Sequence, residues 1–194
     1  MHELRSPGGD TWSAEQSHAS LARYLLEETH EVLEELDRDP VDDSALVAEF
    51  GDLLFQLVFH ARIGTESVNP WDLDAVARAL NQKMYRRNPH VFSPAREQLS
   101  VDDTIAQWEA IKKQEKQSDS LASTHRGLGD GIPSTLPALQ RAFKLVQRAQ
   151  ARGLSEDVDA VIAGFPDEIG RAIAEIVVKA AQDDRDPESS VRRL

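Results

Sequence analysis

Apolar residues recur at intervals of three and four along nearly the whole chain, and no run alternates in the way a half-buried strand requires. That periodicity restricts the fold to packed helices, and it makes the exceptions informative. The stretch YLLEETHEVLEELDRDPVDDSALVAEFGDLLFQL, Tyr24 to Leu57, reads as two amphipathic helices joined by a Pro-Asp loop. Glu28 falls on the stripe formed by Leu21, Leu25, Val32 and Leu36, where a core-facing residue belongs. Glu49 falls in line with Leu46, Leu53 and Leu57, and Asp52 lies between Ala48 and Phe55. Glu34, Glu35 and Asp37 read instead as solvated residues that keep an outer face wet. A carboxylate on an apolar stripe is pulled both to water and to core, and such local conflicts often mark function.

The periodicity and its punctuation predict helices over about 17–36, 43–64, 72–87 and 102–116. The third opens on Asp72 as N-cap, and the fourth runs from acids to lysines, as the helix dipole favours. QSDSLASTHRGLGDG, rich in Ser and Gly, reads as a linker over 117–131. The organisation expected is therefore a helical domain over 1–116, the linker, and a helical C-terminal segment over 132–194. Within that segment helices are expected over about 136–151 and 166–182, followed by a polar, fraying end. AEFGDLLFQLVFHAR, from Ala48, aligns without gaps on DEIGRAIAEIVVKAA, from Asp167. Glu49, Gly51, Val58 and Ala61 match Glu168, Gly170, Val177 and Ala180, while Arg171 replaces Asp52. If this is a repeat, its second copy has lost the acids.

Bulk properties remove several functional classes. A net charge of −12 argues against wrapping nucleic acid or lying on an anionic membrane, although a bound cation can still admit a small polyanion. There is no cysteine for a disulfide or a thiolate metal site. No apolar run approaches the about 20 residues of a membrane span, and MHELRSPGGD has no apolar segment resembling a signal peptide. A cytoplasmic location is the expectation.

Residues three or four apart on a helix share a face, so Glu28 and Glu31 point together with Glu27 on the flank, and Glu49 and Asp52 do the same. Helices joined by a loop of about six residues usually pack antiparallel, which would gather the four carboxylates. Such a cluster is unfavourable unless protonated or paired, and a hard divalent cation with all-oxygen ligation relieves it. An isolated E-E-x-x-E is an ordinary feature of Glu-rich helices; the second acidic pair inside an apolar face is what makes it unusual. His2, His18, His30, His60, His90 and His125 show no metal-binding spacing. On the following helices Lys83 and Arg87 lie one turn apart, as do Trp108 and Lys112, and their cations suit phosphate oxygens.

Taken together these residues resemble the MazG family of nucleoside triphosphate pyrophosphohydrolases. The family signature, E-E-x-x-E followed after a spacer by E-x-x-D, reads here as Glu27-Glu28-Thr29-His30-Glu31 and Glu49-Phe50-Gly51-Asp52. The resemblance extends from LRSPGGDTWSAEQSHASL through K-x-x-R-R-x-P-H-V-F to W-E-x-x-K, and resumes in LPALQRAFKLVQRAQARGL. GGDTW stands where the family has Cys-Pro-Trp, so the loop carrying Trp12 differs from the pattern. The resemblance implies an all-α helical bundle, a four-helix catalytic core completed by homodimerisation. It implies that Glu28, Glu31, Glu49 and Asp52 hold Mg²⁺, with Mn²⁺ as a substitute. Glu27 is then a further candidate for a second metal or for activating water, with Glu28 as the other candidate base. Lys83, Arg87, Trp108 and Lys112 fall where the family contacts the nucleotide.

The function so implied is hydrolysis of NTP or dNTP to monophosphate and pyrophosphate, a nucleotide-pool housecleaning role. Two alternatives stand beside it: a narrower dUTP- or dCTP-preferring enzyme, and a non-catalytic helical partner-binding protein whose acids hold cations for structure alone. One active site per chain is expected, with the C-terminal segment carrying no second acid site.

Overall fold

The computed structural model of the chain describes residues 1–94, 98–118 and 127–193, and these contain helices and no strand. They divide into two compact units, Met1–Ser118 and Asp119–Leu194. Most of the expected linker, residues 119–126, lies outside the described residues.

In the first unit α1 (His2–Arg5) and α2 (Thr11–Glu15) are short, and the long helices are α3 (His18–Asp37) and α4 (Asp43–Gly64). After them come α5 (Leu73–Arg87), the single turn α6 (Pro89–Phe92) and α7 (Val101–Ser118). Side-chain caps explain most of the starts. Ser17 and Ser20 form a reciprocal capping box at α3, with Ser20 N donating to Ser17 Oγ at 3.1 Å and Ser17 N to Ser20 Oγ at 2.9 Å. Asp42 accepts from Ser44 N and Ala45 N, and Asp72 accepts from Ala75 N at 2.8 Å, so both acids satisfy donors a helix start would otherwise leave open.

α3 packs along α4, and the contacts fix their direction. The start of α3 meets the end of α4 through His18 and His60, while Glu28 and Glu31 further on meet Glu49, so the helices are antiparallel. Leu21 and Phe59 are fully buried between them, with Val32 and Ala61 close behind. Trp12 closes this core edge-on, its ring 6.1 Å from Phe59 and 5.9 Å from Tyr24. Arg5 ties the N-terminal turn to the far end of α4 by a fork to Glu66 (Nε 3.0 Å, Nη2 2.9 Å).

One sequence reading is corrected here: α4 is long and apolar enough, by length and composition, to cross a membrane. Its mid-helix Glu49 and Asp52 and its packing on α3 give it the setting of a bundle helix instead. α5 packs against α4 and α7, while α7 makes no comparable contact with α3 or α4 among the described residues.

The second unit contains α8 (Ala138–Gln150), α9 (Ser155–Ala163), α10 (Glu168–Gln182) and α11 (Pro187–Arg192). Phe143, Val177 and Ala181 form its core, flanked by Leu139, Ala142 and Val146. The end expected to fray is instead helical over α11, because Asp186 caps it and Pro187 opens it. The stretch that aligned with α4 is used differently. Glu168 is the first residue of α10 beside the N-cap Asp167, whereas Glu49 lies in the second turn of α4. A Cβ at Gly170 would meet Phe165 at 2.9 Å and Asp167 Oδ2 at 3.0 Å, whereas at Gly51 it would meet open space.

Candidate functional site

The antiparallel pairing of α3 and α4 brings Glu28, Glu31 and Glu49 together, each with a carboxylate oxygen within 4.8 Å of the others. Glu28 and Glu49 are half-buried and Glu31 is exposed. Asp52, one turn beyond Glu49, is exposed and stands outside that triad, yet its charge reaches both Glu28 and Glu49. Glu27 is exposed on the flank.

Electrostatics show what the cluster lacks. Burial pushes the Glu28 carboxyl above its usual range, helped by a shared hydrogen bond with Glu31 and by repulsion from Glu31, Asp52 and Glu49. Burial also raises Glu49, with repulsion from Glu31, Asp52 and Glu35, while Arg38 opposes the rise. An all-oxygen donor set with excess negative charge suits a hard divalent cation. The spacing suits it too, since oxygens on opposite sides of Mg²⁺ at about 2.1 Å stand about 4.2 Å apart. The residues present therefore fit such an ion.

Glu35 departs from the sequence reading. It is buried, not solvated, with Oε1 2.9 Å from Arg38 Nη2 and its side chain 9% exposed. It lies on the same face of α3 as Glu28 and Glu31, and the first turns of α4 run back over that face. Glu34 is exposed as expected, and Asp37 is half-buried.

The cations of α5 and α7 are held in a different way from the one their spacing suggests. Lys83 is exposed and makes no ion pair among the described residues. Arg87 is half-buried and forked onto Glu115 (Nε–Oε2 3.1 Å, Nη2–Oε2 2.7 Å), with its guanidinium 5.2 Å above the Trp108 ring. Arg86 joins the same carboxylate at 2.5 Å. Hydrogen bonds from Arg87 and then Arg86 hold the Glu115 carboxyl down to about 2. Lys112 is paired with Glu109 at 2.6 Å. None of Lys83, Arg87 and Lys112 is ion-paired to Glu28, Glu31, Glu49 or Asp52 among the described residues. Sequence reading missed Glu115; its place one turn beyond Lys112, opposite a double arginine, is the signal that would have found it.

At the other end of the α3–α4 pair His18 lies between His60 and Trp71. The imidazoles approach at 2.8 Å between Nδ1 atoms, and Trp71 stacks on His18 at 5.7 Å. Burial, and then His18, lower the His60 pKa. Ten residues separate His18 from Glu28, about 15 Å along a helix, so the stack braces the bundle away from the acids.

The profile described as the MazG nucleotide pyrophosphohydrolase domain matches residues 16–92, which contain the whole acidic cluster. The chain is 43% identical over 170 residues to the nucleoside triphosphate pyrophosphohydrolase of Mycobacterium tuberculosis, covering 87% of this chain and 46% of that protein. It is 37% identical over 183 residues to the Escherichia coli K12 protein of the same name, covering 94% and 65%. To the nucleoside triphosphate pyrophosphohydrolase/pyrophosphatase MazG of Thermotoga maritima it is 35% identical over 189 residues, covering 97% and 67%. The chain thus spans between 46% and 67% of the length of these relatives.

Proposed function

Because this chain belongs to the MazG nucleotide pyrophosphohydrolase family, we propose that it hydrolyses nucleoside triphosphates, ribo or deoxyribo, to the monophosphate and pyrophosphate in nucleotide-pool housecleaning. The observation that carries the reading is the convergence of Glu28, Glu31 and Glu49 within 4.8 Å from two facing helices. With Asp52 these residues would hold Mg²⁺, or Mn²⁺ in its place. When bound, the cation supplies charge neutralisation of the phosphates and a lowered pKa for water.

The chain's own side chains have the remaining tasks. Glu28, whose affinity for protons is raised, or exposed Glu27, accepts the proton of the attacking water. Water adds to the α-phosphorus, the bond from that phosphorus to the bridging oxygen breaks, and pyrophosphate leaves with both electrons of that bond. Lys83, Lys112 and the remaining N–H groups of Arg87 bind phosphate oxygens and offset the leaving charge. Arg87 lies over the Trp108 ring, and the indole is the aromatic surface on which a base would stack in this proposal.

The chain acts as a soluble cytoplasmic homodimer in this proposal. Val47, Phe50, Leu54 and Leu57 form an exposed stripe at spacings of three and four on α4. A second copy laid on that stripe completes the bundle without exposing it to water.

The deciding experiment is pyrophosphate release across the common ribo- and deoxyribonucleoside triphosphates in Mg²⁺, repeated in EDTA. Release from several nucleotides, lost in EDTA, is the expected result. Confinement to dUTP or dCTP would replace the broad enzyme by the narrow one. Metal-dependent melting with no pyrophosphate from any nucleotide would replace both by the partner-binding protein.

A second expectation concerns the clamp on the arginines. Glu115→Gln is expected to raise KM about three- to tenfold while changing kcat little, because Arg87 loses the fork that holds it over Trp108. With its carboxyl held near 2, Glu115 is ionised in both folded and unfolded chains above about pH 4.5, and its stabilising contribution disappears only as pH falls from there towards 2. The KM effect should therefore be constant from pH 6 to 9; an unchanged KM would show that the clamp is irrelevant to substrate.

A further inference from the structure

Glu35 is the only buried acid among the described residues. Arg38 satisfies Oε1, but Oε2 is buried and has no hydrogen-bond partner among them. A buried carboxylate oxygen without a donor is costly, and an ion pair to a half-exposed arginine on the other oxygen leaves that cost in place. The surroundings indicate where a donor would come from. Glu35 follows Glu31 by four residues and Glu28 by seven, so the three lie on one face of α3. α4 runs antiparallel across this face towards its start, and no side chain of its first turns donates to that oxygen among the described residues. Glu49 itself feels the charge of Glu35 alongside those of Glu31 and Asp52. The oxygen thus continues the acidic face at the end nearest the α3–α4 loop.

We propose that Glu35 is a fifth carboxylate of the acidic site, whose Oε2 accepts a hydrogen bond from the water shell of a divalent cation held by Glu28, Glu31 and Glu49. Arg38 positions it by holding Oε1. The assignment rests on reading the cluster as a cation centre, so its test separates the two. A group that orients a metal's surroundings typically changes affinity by 10–100-fold when removed, which sets the scale to look for.

The test is titration of the full chain with Mn²⁺ alone, followed by calorimetry and by the electron paramagnetic resonance signal of the unbound ion. Wild type is compared with Glu35→Gln, Glu35→Leu and Glu49→Gln, and each protein's fold is checked by circular dichroism in EDTA. Glu35→Leu removes the acceptor and is expected to weaken Mn²⁺ binding about tenfold or more at unchanged stoichiometry, with Glu35→Gln in between. Leucine suits a buried position, so this variant keeps a folded protein available if Glu35→Gln does not fold. Wild-type affinity in both Glu35 variants, with binding lost in Glu49→Gln, would overturn the assignment and leave the cation centre standing. Wild-type affinity in Glu49→Gln as well would remove the cation centre itself, and this inference with it. A Glu35 that only staples the end of α3 to Arg38 would shift melting in EDTA and leave the Mn²⁺ isotherm unmoved.

Discussion

Glu28→Gln is expected to reduce turnover by at least about 10²–10³-fold, the scale of losing one preorganised electrostatic partner of the reaction, while the protein stays folded. The same change should raise the melting temperature measured in EDTA. Glu28 carries a pKa above its ordinary value, so the cation-free fold holds its proton more tightly than the unfolded chain does. Below the unfolded value of about 4.5 both states are protonated and no penalty exists. As pH rises through the raised folded value, the folded state must ionise against Glu31, Asp52 and Glu49, and stability is lost. Glutamine has no proton to lose there. The advantage of Glu28→Gln over wild type in EDTA should therefore grow from pH 4 to pH 7. Adding Mg²⁺ should reverse the order, stabilising wild type far more than the variant. Near wild-type pyrophosphate release from the variant would refute the assignment of the site, and a melting advantage that shrinks with rising pH would refute its electrostatic account.

Gly64→Ala is expected to destabilise the first unit by about 1–3 kcal/mol, the range for forcing extra atoms into a filled space. Gly64 is buried at the end of α4, and the Trp71 indole lies directly over its α-carbon. A Cβ there would stand 2.5 Å from Trp71 Cε2 and 2.8 Å from the Trp71 carbonyl oxygen. The backbone cannot retreat easily, because Gly64 O accepts from both Ser67 N and Trp71 N at 3.2 Å. The indole must move, and with it goes the stack on His18 that braces the start of α3. Trp71 also directs the chain into α5, so Lys83 and Arg87 should shift and KM should rise together with the loss of stability. Denaturant unfolding and Michaelis kinetics of the variant test both parts. A midpoint matching wild type would mean the indole packs elsewhere. Combining Gly64→Ala with Trp71→Ala should recover part of the loss if the clash is its source.

The long helices were legible because their ends carry readable chemistry. Asp72 bonds the backbone amide at the helix start its identity suggests, and Ser17 and Asp42 cap α3 and α4 in the same way. The acidic triad was legible for a related reason: an i, i+3 pair on each of two helices joined by a short loop has few ways to avoid meeting. Glu35 shares the face of Glu28 and Glu31 by its spacing of seven and four, a signal the sequence reading passed over when it grouped Glu35 with exposed Glu34. What else escaped depends on register between elements. The Glu115 clamp requires α5 and α7 to lie side by side so that the adjacent Arg86 and Arg87 meet a carboxylate distant in sequence. The His18–His60–Trp71 stack needs the ends of three segments to converge, which spacing within one segment cannot reveal.

The lettering shared by Ala48–Arg62 and Asp167–Ala181 shows that a glutamate's sign of effect belongs to its height on a helix. Beyond the first turn of α4 Glu49 meets other anions and raises the energy of the empty fold. At the first turn of α10 Glu168 faces the positive end of the peptide dipoles, where the same charge lowers it. Gly170, wedged against Phe165 and Asp167, fixes that start in place. An aspartate at position 171 would accordingly rebuild the motif as text while adding only another anion to a helix entrance.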